Sequence, residues 1–284
     1  YLSALEYLRL LRGERDVLDE ERQADWIHEH TASEDVTGIR FVRLSETFRF
    51  GTRTAGLVGN AVYDSDGINY TSGRDAAPEH VSHSQLGHPL SELLDEAPVT
   101  LVTYDSTTDY QEWNPIEATL AAEIIAARRE GTTAGVVTPH NAQRSRIKSR
   151  LEARGLEAGD GRMVSVDTVN RFQGGEADLM VVSATVSDPQ YITRESDFLL
   201  NENRVNVSLT RHKEKLVILA PETILGHIPN DPDLYDETVI WKTVAREAGE
   251  APTDQKRPPS WRGPLSAILD DEDLECPDAE ISVY

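Results

Sequence analysis

Two short apolar runs constrain this chain more than any other feature. Leu179-Met180-Val181-Val182-Ser183-Ala184 and Leu216-Val217-Ile218-Leu219-Ala220 are rich in β-branched residues and bounded by polar stretches. Runs of that length without polar alternation read as strands buried on both faces, and such strands belong to parallel sheets covered by helices. Phe172-Gln173-Gly174-Gly175-Glu176-Ala177-Asp178 precedes the first run. Its paired glycines let a backbone approach a ligand closely beside a Gln and a Glu. Asn203-Arg204-Val205-Asn206-Val207-Ser208-Leu209-Thr210-Arg211 precedes the second and predicts a helix. Arg204 and Arg211, seven positions apart, are expected on one face of it.

The rest of the chain continues the same alternation. Val99–Tyr104 and Ala134–Thr138 read as strands, and residues 115–130 and 141–154 as helices. The helix at 115–130 carries Pro at its start and Glu in its first turn, as capping and the helix dipole favour. Upstream, residues 1–11 predict an amphipathic helix, Ile39–Leu44 a strand, and Ser45–Phe50 the turn into a helix reaching about Tyr63. Residues 64–98 read as a loop insertion. Within it, His80, His83 and His88 have the spacing of metal ligands, but no cysteine or second cluster completes a site, and no metal is expected. Leu93-Leu94-Asp95-Glu96-Ala97 imitates a Walker B box without the apolar strand that one requires. Residues 221–248 predict a helical turn and a closing helix packed through Trp241 and Val244. Residues 249–264 read as a linker and 265–284 as a weakly ordered acidic tail docking one short helix, Leu265 to Leu269.

Thr168-Val169-Asn170-Arg171-Phe172-Gln173-Gly174-Gly175-Glu176-Ala177-Asp178 resembles motif V of the superfamily 1 helicases, and Asn203 to Lys213 resembles their motif VI. Both stand in order and at the family's separation. The closest subgroup by pattern holds the nonsense-mediated-decay helicase and the replication nuclease-helicase, which typically move 5′ to 3′. Gly135 to Ile147 is similar to motif IV: Thr138 and Gln143 match, and His140 stands where a tyrosine is common. The resemblance implies a RecA-like α/β domain, a parallel sheet flanked by helices, acting as the second motor domain. It implies Arg49 and Arg211 as γ-phosphate arginines, and Glu176 on the nucleotide ribose with Gln173, Gly174 and Gly175 around it. It assigns Thr138, Asn141 and Thr168 to the nucleic-acid backbone, and to Arg204 a structural bridge. In a parallel sheet ligands gather at one end of the strands, and Arg211 is expected there.

No P-loop exists in this sequence, since no glycine precedes a lysine. ATP and Mg²⁺ are therefore expected to be held mainly by a first motor domain outside it. The divisions expected are 1–38, a helical segment leading to that missing domain; 39–248, the motor domain; and 249–284, linker and tail. A chain opening at Tyr1 inside a helix is expected to be a fragment. The partners implied are single-stranded nucleic acid, DNA favoured over RNA, and the N-terminal motor domain. A non-catalytic nucleic-acid-binding or regulatory module with the same fold is the alternative.

Composition limits the setting. The net charge is −22, with only five lysines, Lys148, Lys213, Lys215, Lys242 and Lys256, and the acids spread along the whole length. That points to adaptation to concentrated salt, where a Debye length of ~3 Å at ~1 M hides distant carboxylates from a bound strand; an acidic tail on a mesophile protein is the competing explanation. Cys276 stands alone, so no internal disulfide forms. No apolar stretch approaches ~18 residues and no signal peptide opens the chain, so no membrane and a cytoplasmic location are expected.

Overall fold

The structure is a computed structural model that describes residues 45–64, 67–74, 98–159, 162–172, 175–229, 235, 238–249, 260–269, 274 and 277–283. The amphipathic helix at 1–11, the strand at Ile39–Leu44, the three insertion histidines, Leu93–Ala97, Gln173 and Gly174 lie outside those residues.

Nine strands are described: β1 (Glu46–Thr47), β2 (Thr71–Ser72), β3 (Val99–Tyr104), β4 (Ala134–Thr138), β5 (Val164–Thr168), β6 (Ala177–Ser183), β7 (His212–Pro221), β8 (Ser260–Pro264) and β9 (Asp278–Val283). The helices are α1 (Thr52–Val58, continuing as a π turn to Tyr63), α2 (Pro115–Ala126), α3 (Asn141–Ala153), α4 (Pro189–Arg194), α5 (Ser196–Leu199), α6 (Glu202–Leu209), α7 (Glu222–Leu225) and α8 (Val239–Gly249). The main sheet runs β5-β4-β6-β7-β3-β9-β8, with β1 and β2 pairing separately. Its first five strands are mutually parallel; β9 pairs antiparallel with β3, and β8 antiparallel with β9.

The two apolar runs become β6 and β7, neighbours at the middle of the sheet, and they bury both faces. Leu216, Ile218 and Ala220 face a core that includes Leu57, Val58, Met180, Trp241 and Val244. Val217 and Leu219 face a second core with Ile116, Leu120, Ile147 and Leu151. Each such aliphatic side chain contributes about 1.5–3 kcal/mol of burial, which is why strands without polar alternation gather at the centre. Trp241 and Val244 pack as expected, and α7 supplies the predicted turn.

Several local expectations change. Ser45–Phe50 does not begin a helix: Thr71 N donates to the Ser45 carbonyl at 2.8 Å and Gly73 N to the Thr47 carbonyl at 2.8 Å, making a two-residue parallel pair before α1 starts at Thr52. The insertion thus contains a strand. β5, Val-Ser-Val-Asp-Thr, alternates buried and half-buried residues, a sheet-edge pattern that contains no continuous apolar run. α2 ends at Ala126, four residues early. α6 ends at Leu209, so Arg211 lies beyond the helix and shares no helical face with Arg204. The end of the expected linker becomes β8 and the expected tail β9, which together extend the sheet, with Leu265, Ile268, Leu269 and Ile281 buried in the second core. Asp278 is exposed and Glu280 pairs with Arg262 of the neighbouring strand, and a few separated apolar residues suffice to dock the segment.

Candidate functional site

Arg49, Glu176 and Arg211 come together, but at the amino ends of the central strands. The chain leaves β6 at its carboxyl end and returns through α4, α5 and α6, so whatever immediately precedes β7 stands at the opposite edge. Arg211 immediately precedes His212, the first residue of β7, and Glu176 immediately precedes Ala177, the first of β6; Ala177 and His212 are paired. The bend at Phe48–Phe50 delivers Arg49, whose Nε lies 3.2 Å from Glu176 Oε2 while its Nη1 donates to the Thr210 carbonyl at 2.8 Å. Lys213 Nζ lies 2.8 Å from Glu176 Oε1. Arg74 Nη1 braces this group from behind, donating to the carbonyls of Arg49 at 2.6 Å and Lys213 at 2.7 Å. Arg211 Nε donates to the Val207 carbonyl at 3.1 Å.

Arg49 and Lys213 thus pair with one carboxylate, with Arg211 and Arg74 close by, in a chain whose overall charge is −22. The hydrogen bond from Lys213 first, and Arg49 with it, holds Glu176 below the usual carboxylate range. Burial and then the charge of Arg49 hold Arg211 below the usual guanidinium value. Such a locally unmatched positive field, half open to solvent, fits a polyphosphate. His212 forms its floor: the ring stacks on Phe50 with centroids 5.2 Å apart, and Nε2 lies 2.9 Å from Thr54 Oγ1. Burial pushes His212 down to about 3, so the ring is neutral. Lys213 and Arg74 were not foreseen; the rarity of lysine here was the usable signal for the first. Gly175 has a packing reason, since a Cβ there would meet ring carbons of Phe172 at 3.0 and 3.1 Å.

Thr138, Asn141 and Thr168 gather at the opposite edge, about 20 Å away along the seven residues of β6. Thr138 closes β4 and Thr168 closes β5, paired in register, while Asn141 opens α3 and is exposed. Thr138 is only 1% exposed and its hydroxyl turns inward, 3.0 Å from Thr185 Oγ1, so that hydroxyl is not presented at the surface. Beside α3 lies a group of rings and guanidinia, with Tyr191 buried, His140, Phe198 and Arg204 half-buried, and Arg194 exposed. The His140 ring lies 5.8 Å from Tyr191 and 5.6 Å from Phe198, with Arg194 4.8 Å over Tyr191 and Arg204 4.5 Å over Phe198. Arg204 of α6 thus packs on the aromatic face of Phe198 in α5.

Beneath this edge lies a buried polar network that the sequence did not disclose. Glu117, on α2, is fully buried and accepts from Tyr104 Oη at 2.7 Å, from Thr185 N at 2.8 Å and from Ser183 Oγ. Asn114 caps α2 and donates to Tyr104 Oη at 2.7 Å and to the Thr185 carbonyl at 3.0 Å. Gln143 of α3 donates to Ser183 Oγ at 3.0 Å and accepts from Asn114 N at 2.9 Å. Burial raises Glu117 to about 7 despite its three donors.

Among the described residues no cluster of His, Cys, Asp and Glu could hold a metal ion, and no helix is long and apolar enough to cross a membrane. The chain is 29% identical over 120 residues to the DNA replication ATP-dependent helicase/nuclease JHS1 of Arabidopsis thaliana, covering 41% of this chain and 8% of that protein. It is 30% identical over 156 residues to the DNA polymerase alpha-associated DNA helicase A of Saccharomyces cerevisiae, covering 49% and 22%. It is 37% identical over 95 residues to the regulator of nonsense transcripts 1 homolog of Neurospora crassa, covering 33% and 8%. These matches span under a quarter of each relative's length. Among solved structures, the C-terminal domain of a possible DNA helicase from Lactobacillus plantarum aligns over 66% of this chain and 97% of that one, at 13% identity and a TM-score of 0.36. The AAA domain family profile matches residues 38–223, well over half of the chain. The chain belongs to that AAA domain family and is a superfamily 1 helicase domain.

Proposed function

We propose that this chain is the second motor domain of an ATP-dependent superfamily 1 helicase that moves 5′ to 3′ along a single strand, DNA in preference to RNA. The observation that carries the reading is that Arg49 from one segment and Lys213 from another pair with Glu176, with Arg211, beside Lys213, close enough to feel both charges. A module that only held nucleic acid would have no use for paired arginines on the edge away from the threonines.

The residues present fit a nucleotide's phosphates. Bound Mg²⁺-ATP would supply the phosphoryl group whose transfer to water powers movement. Arg49 and Arg211 would neutralise charge developing on the γ-phosphate, which an arginine finger does with a gain of 10³–10⁵ in rate. In the present arrangement Glu176 holds Arg49 and Lys213, keeping both cations at the mouth of the site. Its assigned bond to the ribose requires those ion pairs to loosen. Mg²⁺ and most of the phosphate grip belong to the N-terminal motor domain, which is the expected protein partner. At the other edge, exposed Asn141 and the amino end of α3 would take the nucleic-acid backbone, with Thr138 and Thr168 shaping the strand ends beneath. Such contacts grip phosphate and sugar without reading sequence.

The purified 284-residue chain is expected to show no nucleic-acid-stimulated ATP hydrolysis, because no P-loop lysine is present in it. The intact protein is expected to hydrolyse ATP when single strands are added. Stimulated turnover by the isolated chain would refute the half-motor reading.

A further inference from the structure

Glu117 has no part in the nucleotide cluster, yet its buried carboxylate accepts three hydrogen bonds, and its donors all point one way. Asn114 donates to Tyr104 Oη, which donates to Glu117 Oε1. Gln143 donates to Ser183 Oγ, which donates to Glu117 Oε2. Thr185 N donates directly to the same oxygen at 2.8 Å. A carboxylate is an acceptor only and can end all three chains. An amide in its place would offer two N–H groups to partners that are themselves donors.

Thr185 is the second half of the observation. Its φ is 74°, the only positive value at a non-glycine among the described residues. A β-branched residue there is a genuine outlier, and such strain persists only where the surroundings over-determine it. Four residues hold it: the Glu117 carboxylate on its N–H, Asn114 on its carbonyl at 3.0 Å, and Thr138 at 3.0 Å and Ser183 at 3.1 Å on its hydroxyl. Thr138 ends β4 three residues before α3 opens at Asn141. Gln143, in the first turn of α3, is tied to the same network. The strained residue therefore sits between the buried carboxylate and the turn that presents the amino end of α3.

We infer that Glu117 is a positioning residue for the single-strand site: by holding Thr185 in its left-handed conformation it sets Thr138 and the start of α3 for the nucleic-acid backbone. This rests on the nucleic-acid reading given above. Glu117 itself is fully buried and touches no strand. Its effect is on affinity for the track and not on the arginine cluster, which lies at the far end of β6 and β7.

The test uses the intact protein and fluorescent oligo-dT and oligo-U, titrated well below each variant's melting temperature. Glu117→Gln is expected to weaken single-strand binding about tenfold, the scale of one strained backbone residue released. Maximal ATP turnover at saturating oligonucleotide should stay within about twofold, so the loss appears in the half-saturating concentration. Adding Thr185→Gly to Glu117→Gln lets the backbone keep its positive φ without strain; it removes the hydroxyl that meets Thr138 but keeps the carbonyl bond to Asn114, which is tied to Gln143 of α3, and should restore part of the affinity. A purely structural role predicts a lower melting temperature with unchanged affinity of the folded variant, and that result would overturn the inference. So would a double variant that binds no better than Glu117→Gln alone. If the unaltered protein binds neither oligonucleotide, the nucleic-acid reading fails first, and this inference with it.

Discussion

Two buried ionisable residues, His212 and Glu117, show how a side chain's surroundings decide what it contributes. His212 is pushed down to about 3 by burial between Phe50 and Thr54. An unfolded chain takes up a proton at this residue below its ordinary value of about 6.5, while the folded chain refuses it until about 3. Its contribution to stability is therefore full above 6.5 and lost as pH falls towards 3. Glu117 runs the other way: burial raises it to about 7, so its contribution is full below about 4.5 and lost as pH rises through 7. Because the two oppose each other, wild type alone cannot separate them. Urea midpoints of wild type and His212→Asn should converge as pH falls from 7 to 5, and a constant difference would contradict a neutral buried ring. Neither burial was legible in the sequence. His212 lies inside the quoted motif but reads as one more polar residue, and Glu117 reads as an ordinary acid in a first helical turn. Arg49, Glu176 and Arg211, in contrast, were found by their place in the motifs, and the fold brings them within reach of one another.

Elements with continuous apolar runs were the ones the sequence disclosed. Val99–Tyr104, Ala134–Thr138 and the two central runs all become strands of one parallel sheet, because such residues have nowhere to go but a position covered on both faces. The hairpin β8–β9 was missed for the converse reason. Its apolar residues, Trp261, Leu265 and Ile281, are separated by prolines, glycines and acids, and no local window shows a period. Only the free edge of β3 makes that segment a strand, and an edge is a tertiary fact. Since Ile281 is fully buried there, Ile281→Ala should cost about 2–5 kcal/mol of stability in urea denaturation. A change below about 0.5 kcal/mol would mean that the tail does not complete the core. The end of α6 at Leu209 was the other element-scale surprise. It releases Arg211 from the helix and places it at the mouth of β7.

At the scale of the whole molecule, the sheet separates two chemistries. A cationic cluster stands at the amino ends of β6 and β7, and the threonine-bearing strand ends with the start of α3 stand at the other edge. The surrounding charge of −22 repels itself, and screening it requires a Debye length of a few ångströms. We therefore expect the melting temperature to rise between dilute buffer and molar KCl; a flat or falling trend would contradict adaptation to concentrated salt. The separation of the edges also makes the central claim testable with one substitution. In the intact protein, Arg211→Ala should be assayed for ATP turnover at saturating single-stranded nucleic acid and for affinity across a salt series. The account predicts a turnover loss of about 10³–10⁵ with affinity and its salt slope nearly unchanged. Near-normal turnover with weakened, less salt-dependent binding would place Arg211 on the nucleic-acid path and contradict the account.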